Sequence, residues 1–334
     1  MHSHRQLLSV FIVLGSILCC AVAPAAVHTV TSSGELATAI SAAADGDIIE
    51  MVAGNYDYVN GRVITTGLTL RSQSGDPADV AISLTYLTQG ILAVDSFVGT
   101  QPVRLEGITF QYLDLQGGTV FIGHEGHLII DRCVFQSSMA YVMLEVGGTT
   151  EILETQFLGL HSSAVLANTG HLTMSGCLWQ GNETPNLITI DQGSLDMSMC
   201  SLVENHGTPL LLADVEASIS HTLFQDNIMG AAAVHMALFG NLVMDNCTLV
   251  GNTLGYGALN VGPLSVAHLT QCTILDNTIR DGTLRPAAEL TLICCEVDQS
   301  RWDIQGGTWT LDNSDCAVAN IQETLGGMKA MFNR

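Results

Sequence analysis

The sequence predicts an all-β fold, a right-handed parallel β-helix of roughly ten coils with a short N-terminal capping helix. Three observations carry that prediction. First, one phrase returns five times across residues 171–277, as LTMSGCLWQGN, LDMSMCSLVEN, ASISHTLFQDN, LVMDNCTLVGN and AHLTQCTILDN. Its Cys or Thr falls at Cys133, Thr155, Cys177, Cys200, Thr222, Cys247, Cys272 and Cys295, at intervals of 22, 22, 23, 22, 25, 25 and 23 residues. A fixed period of that length marks a solenoid built from one supersecondary unit per coil. Second, two residues further on stand Phe135, Phe157, Trp179, Leu202, Phe224, Leu249, Ile274 and Val297. That spacing puts both side chains on one face of a strand, and the coils lack the i, i+3, i+4 pattern of helical repeats. Third, an asparagine follows in five consecutive coils, at Asn182, Asn205, Asn227, Asn252 and Asn277.

Stacked parallel strands lie about 4.8 Å apart, so these asparagines are expected to form a ladder at a fixed turn. Asn tolerates left-handed backbone there, and each side-chain amide can bond its equivalent one coil away. A second turn is expected at Gly126, Gly148, Gly170, Gly193 and Gly240, two residues before each leading strand position. Glycine would supply the positive φ of such a turn, and Val215 breaks the column.

Taken in order, the chain divides into a signal peptide (1–26), an N-terminal cap with the first coils (27–100), the repeats (101–300) and an irregular coil or tail (301–334). Arg5 precedes an apolar run over residues 7–22, and Ala23-Pro24-Ala25 offers a small-residue cleavage site. The run is short for a membrane span. Cys19 and Cys20 follow Leu18 and Cys19, a poor match to a lipid-modified cysteine, which follows a small residue. Ser32 or Ser33 is expected to cap a helix through Ala44, with Glu35 completing a capping box around Ser32. Leu36, Ala39, Ile40 and Ala43 share one face of that helix, which would cover the open end of the first coil. Asp45-Gly46-Asp47 ends it, and Ile48 to Met51 are expected to begin the first strand. Gly54-Asn55-Tyr56 and Ser74-Gly75-Asp76-Pro77 read as turns, with Leu68-Thr69-Leu70 as a strand.

The segments LATAISAAADGDIIEMVAGNY and LTLRSQSG resemble the start of bacterial pectate-lyase-like, right-handed β-helix proteins. The coils FQDN (224–227), LVEN (202–205), LVGN (249–252) and ILDN (274–277) are similar to the FxxN repeat of chlamydial polymorphic outer-membrane proteins. Gly257-Ala258-Leu259 resembles that family's GGAI element in degraded form. The resemblance covers about residues 30–300. It implies the fold and leaves the function open among lyases, hydrolases, adhesins and surface proteins.

The chain carries 10 Lys+Arg against 32 Asp+Glu, a net charge of −22. Loss of Arg5 with the signal peptide makes it −23 by subtraction. Such acidity argues against nucleic acid, anionic membrane and polyanionic sugars as unaided partners. Weak Ca2+ binding is the one cofactor it allows. The six cysteines of the repeat column are expected to pack as small buried hydrophobes. Cys294 points away from that column, so a disulfide, where one exists, is expected to join it to Cys316. No CxxC pair occurs, which argues against zinc or redox chemistry. His124, Glu125 and His127 form HEGH, not the HExxH of zinc proteases, and His127 and His171 lie two coils apart, too far for one metal.

The lyases and polygalacturonase-type hydrolases of the resembled group need clustered acids with a basic residue, or paired aspartates with Gly-His-Gly and Arg-x-Lys. Here no Asp-Asp pair occurs, Lys329 is the sole lysine, and Asn205-His206-Gly207 is a fragment of the histidine motif. Arg104, Arg132, Arg280 and Arg285 form no obvious column. The best acidic arrangement is Glu204 and Asp226, each directly before a ladder asparagine and one coil apart. Asp276 repeats the position, with Gly251 between. Carboxylates about 5 Å apart suit a retaining glycosidase or calcium, although solvated turns show the same pattern. Asp191 and Asp214 are near-neighbours across another turn. Aromatics are 5% of the chain and those of the repeat face inward, so no sugar-stacking platform is expected. The sequence therefore points to an exported extracellular or bacterial cell-surface monomer with a structural, adhesive or carbohydrate-binding role. The alternative is a polysaccharide lyase or glycoside hydrolase acting on a neutral or cation-bridged polysaccharide. After Cys295 the repeat fades, and the ending ETLGGMKAMFNR reads as no barrel, hydrophobic anchor or sorting tail, so release, retention by another factor or a shortened gene product is expected.

Overall fold

Within each coil, side chains alternate between core and surface, and that alternation dictates three short strands. In His171–Ser175, Leu172 and Met174 are fully buried while His171, Thr173 and Ser175 face outward. The computed structural model describes residues 25–57, 62–84, 92–94, 101–112, 121–123, 126–138, 142–161, 163–168, 170–314 and 316. Among these, the strands form three parallel sheets running the length of a β-solenoid of about ten turns. The first sheet has thirteen strands, from Val27–Val30 to Thr308–Asp312. The second has eleven, from Gly54–Asp57 to Glu296–Val297, and the third twelve, from Arg62–Ile64 to Trp302–Ile304. Each strand pairs in parallel with its equivalent one coil away, as Leu172 does with Leu195 and Trp179 with Leu202. Residues 1–24 of the expected signal peptide and the last eighteen residues, Lys329 included, lie outside the described residues, as do His124 and Glu125.

The core is a thin column. Phe110, Phe135, Phe157 and Trp179 stack ring on ring inside the second sheet, with centroids 4.9, 5.0 and 3.7 Å apart. Cys133, Cys177, Cys200, Cys247, Cys272 and Cys295 are free thiols in the core, joined in the same column by buried Thr155 and Thr222. Burial pushes the Cys133 thiol up to about 12. Cys294 and Cys316 form the expected disulfide, with Cα atoms 5.2 Å apart.

The helix Ser33–Ala42 closes the N-terminal end and buries Leu36 and Ile40 against the first coil. It stops two residues before the expected Ala44. Ser32 caps it, accepting from the Glu35 backbone N–H at 3.4 Å. Glu35 reaches back chiefly to Thr31, taking its N–H at 2.7 Å and its hydroxyl at 2.9 Å, with Ser32 a lesser partner. Those two donors hold the Glu35 carboxyl below its ordinary value. The first strand is Val27–Val30, ahead of the helix, rather than the expected one at Ile48; the latter belongs to the second strand of the sheet, Asp47–Met51.

Two expectations about the turns are corrected. Neither the ladder asparagines nor Gly148, Gly193 and Gly240 have positive φ; the residue directly before each ladder asparagine does, as do Gln192 before Gly193 and Phe239 before Gly240. Gly126 and Gly170 follow residues outside the described ones. At the corner after the second sheet the left-handed residues are Gly159, Gly181, Glu204, Asp226, Gly251 and Asp276. After the third sheet they are Gln192, Asp214, Phe239, Leu264 and Ala287. The remaining corner, after the first sheet, uses Gly107, Arg132, Glu154, Gly176, Met199, His221, Asn246, Gln271 and Cys294. None is β-branched, which is the side-chain class least able to take this conformation. Gly193 is glycine because a Cβ there would lie 2.4 Å from the Gly170 carbonyl oxygen of the neighbouring coil.

The ladder itself is continuous. Each Asn side chain donates to the next one's oxygen, at 2.8 Å (Asn182 to Asn205), 3.0 Å (Asn205 to Asn227), 2.9 Å (Asn227 to Asn252) and 3.0 Å (Asn252 to Asn277). Leu160 N–H begins it by donating to Asn182 Oδ1 at 2.9 Å, and Asp281 ends it by accepting from the Asn277 amide at 3.1 Å. Asp281 is fully buried, and Arg301 Nε lies 3.5 Å from its other oxygen. Sequence reading missed Asp281 and Arg301, because neither follows the repeat's spacing.

Candidate functional site

The sequence-derived acids all occupy corners. Glu204, Asp226 and Asp276 hold the left-handed position before a ladder asparagine, with φ of 56°, 53° and 57°, and their side chains are exposed. Glu204 Oε2 accepts from Gln180 Nε2 at 3.0 Å, and Asp226 Oδ2 from Gln225 Nε2 at 2.9 Å. Gly251 occupies the same corner one coil on, and Asp226 Oδ1 lies in the space a Cβ there would fill, 2.3 Å from its position. The corner thus stacks two carboxylates on consecutive coils, each tied to a glutamine amide. Asp191 and Asp214 are exposed but out of step: Asp191 pairs in register with Ala213, and Asp214 is the corner residue after it. Among the described residues, no three His, Cys, Asp or Glu side chains converge as a metal site.

The arginines do come together, in two clusters at opposite ends of the solenoid. On the first sheet, Arg71 pairs with Glu50, Arg104 with Asp131 and Glu106, and Arg132 with Glu106 and Asp131. Burial works against the Arg132 charge, yet Asp131 and Glu106 hold its pKa above the ordinary value. A shallow groove beside this network is lined by Asp131, Arg132, Leu153, Glu154 and Ser175. These cations are spent on neighbouring carboxylates. Beyond them, the outer face of the first sheet turns to small polar residues. Ser198 donates to Ser175 at 3.2 Å, His171 Nδ1 is 2.7 Å from Ser194 Oγ, and His127 Nε2 is 2.8 Å from Glu151.

At the other end lies the third sheet's outer face. His235, Asn260 and Thr283 succeed one another in register there, followed by Asp303. Arg280 pairs with Asp303, while Arg285 donates to Gln305 Oε1 at 2.7 Å and lies 4.7 Å above the Tyr256 ring. His235 meets Tyr256 edge-on, centroids 5.8 Å apart. Burial, then the Arg285 charge, lowers the His235 pKa, so the ring is neutral at neutral pH. Asn260 is 2% exposed; its amide donates to the Met236 carbonyl, and its Oδ1 has no partner. The Nδ1 of His235 is likewise buried without a partner. Tyr256, which belongs to no column of the repeat, is 40% exposed. The signal for this cluster was the 25-residue intervals between Thr222, Cys247 and Cys272, whose extra residues include the segment carrying Tyr256.

No protein-family model matches the sequence, and no curated protein matches it. Solved structures do. A PL6 family alginate lyase, AlyGC, matches at 10% identity and TM-score 0.44, over 84% of this chain and 53% of its own. ORF18 of Geobacillus virus E2 matches at 9% identity and TM-score 0.52, over 83% and 56%. The catalytic domain of a GH87 alpha-1,3-glucanase, in complex with nigerose, matches at 8% identity and TM-score 0.50, over 87% and 68%. The chain spans about half the length of the first two. At these identities the likeness is one of architecture: the chain is a parallel β-solenoid of about ten turns with a pectate-lyase-like fold.

Proposed function

We propose that the chain is an exported carbohydrate-binding β-helix that holds a neutral, hydroxyl-rich polysaccharide along its outer faces without turning it over. One observation carries this reading. Between Arg132 and Arg280 the chain has no lysine or arginine, and it has twelve Asp and Glu. The outer first-sheet face of that section presents in-register Ser, Thr and Asn side chains, among them Thr173, Ser175, Ser194, Ser198, Ser218 and Ser220. A face with hydroxyls, scattered carboxylates and no fixed cation can exchange hydrogen bonds with sugar hydroxyls and repels polyanions. Export rests on Arg5, the apolar run over residues 7–22 and Ala23-Pro24-Ala25.

A glycosidase built on Glu204 and Asp226 is the second reading, favoured by their stacked corner positions on consecutive coils. A panel of soluble polysaccharides, with calcium or chelator, separates the two. Saturable binding to neutral polymers with no new reducing ends supports the binding reading. Release of sugar ends that disappears in Glu204→Ala/Asp226→Ala replaces it with the enzyme.

A further inference from the structure

We propose that His235, Tyr256, Asn260 and Arg285 form a subsite for one sugar ring of a neutral glycan on the outer face of the third sheet. The inference rests on the carbohydrate-binding reading and gives it a place. His235 and Asn260 are register neighbours one coil apart, and each keeps a buried polar atom without a partner. Buried polar groups in folded proteins nearly always have partners, so two orphans on adjacent strands call for an occupant. Asn260 Oδ1 is an acceptor, its orientation set by the amide's donation to Met236 O. It therefore needs a ligand that donates. A hydroxyl does so, and it can also accept from a ring N–H of His235, whereas an ionised carboxylate only accepts.

The surroundings fit a pyranose. Tyr256 stands between Gly255 and Gly257, edge-on to His235, with an exposed ring suited to the apolar face of a sugar. Among the arginines whose side chains are described, Arg285 is the one without a carboxylate partner, and its remaining donors can take ligand oxygens. Both orphan atoms are closed to solvent, so the proposal requires a side-chain movement, and the exposed Tyr256, edge-on to His235, is the neighbour it assigns that movement to. The backbone beneath it stays tied, through Tyr256 N–H to Ala231 O at 2.7 Å and Thr283 Oγ1 to Tyr256 O at 2.8 Å.

The test is saturation-transfer NMR and calorimetry on the full chain, with tetrasaccharides of 1,3-linked and 1,4-linked glucose and of 4-linked galacturonate as probes. Wild type is expected to bind a glucose probe and not the galacturonate. Tyr256→Ala and Asn260→Val are each expected to weaken that binding at least ten-fold, a loss of about 1.4 kcal/mol or more. Asn260→Val removes the unpartnered oxygen together with the amide's long bond to Met236 O, so melting temperatures of all variants separate lost binding from lost fold. Unchanged affinity in both variants overturns the subsite while leaving carbohydrate binding intact. Preference for galacturonate overturns the ligand class. No binding of any probe by wild type, by either method, overturns subsite and parent reading together.

Discussion

Replacing Asn227 by alanine tests the ladder as the element that holds coil to coil. Asn227 Oδ1 accepts from both the backbone N–H and the side-chain amide of Asn205, at 3.1 and 3.0 Å. Its own amide donates to Leu202 O and Asn252 Oδ1, both at 2.9 Å. All these groups are buried, so the substitution strands two donors of Asn205 where water cannot reach. Each stranded donor costs about 1–3 kcal/mol, giving an expected loss of about 2–6 kcal/mol. Asn182→Ala is the internal control. Its Oδ1 serves a single donor, Leu160 N–H, so its loss is expected to be about half as large. Urea unfolding followed by circular dichroism reads both as shifts in midpoint at unchanged slope. An Asn227→Ala loss below about 1 kcal/mol, or equal losses in the two variants, would refute the ladder argument.

Three further outcomes are expected. Gly193→Ala sets a Cβ against the backbone oxygen of Gly170 and is expected to cost about 1–3 kcal/mol. Gly251→Ala meets only the mobile end of Asp226, so its loss is expected near the left-handed backbone penalty of about 1 kcal/mol; the paired urea midpoints decide the order. His235 titrates below its ordinary value in the folded chain, so it contributes stability above the unfolded value of about 6.5 that is lost as pH falls through the folded pKa. Midpoints measured down that range should fall less in His235→Gln than in wild type, and parallel curves would contradict the burial argument. The six column thiols are expected to resist Ellman's reagent in the native chain and to react on unfolding; a column thiol modified at neutral pH before unfolding would contradict their burial.

The solenoid was legible because a coil must place the same residue classes at the same points: Cys or Thr at the marker, a bulky apolar residue two later, Asn three beyond that. The asparagine ladder and the Cys294–Cys316 disulfide were legible for the same reason, since both depend on column membership. The left-handed corner residues were not. That backbone excludes only β-branched side chains strongly, so Arg132, Met199 and Phe239 share a conformation without sharing chemistry. Gly193 stood out, but close stacking on Gly170 selects it rather than φ. The arginine clusters were hidden because Arg104 and Arg132 meet Glu106 and Asp131 only once the register between neighbouring coils is known. Tyr256 escaped notice for a related reason: the extra residues in its coil remove it from every column of the repeat.

The most direct measurement is affinity electrophoresis of the purified chain through gels cast with a neutral glucan or with a polyuronate, with reducing ends assayed from the same gels. Retardation by the neutral glucan, none by the polyuronate, and no new reducing ends are expected. Free migration through the neutral gel, or new reducing ends in either gel, would contradict it.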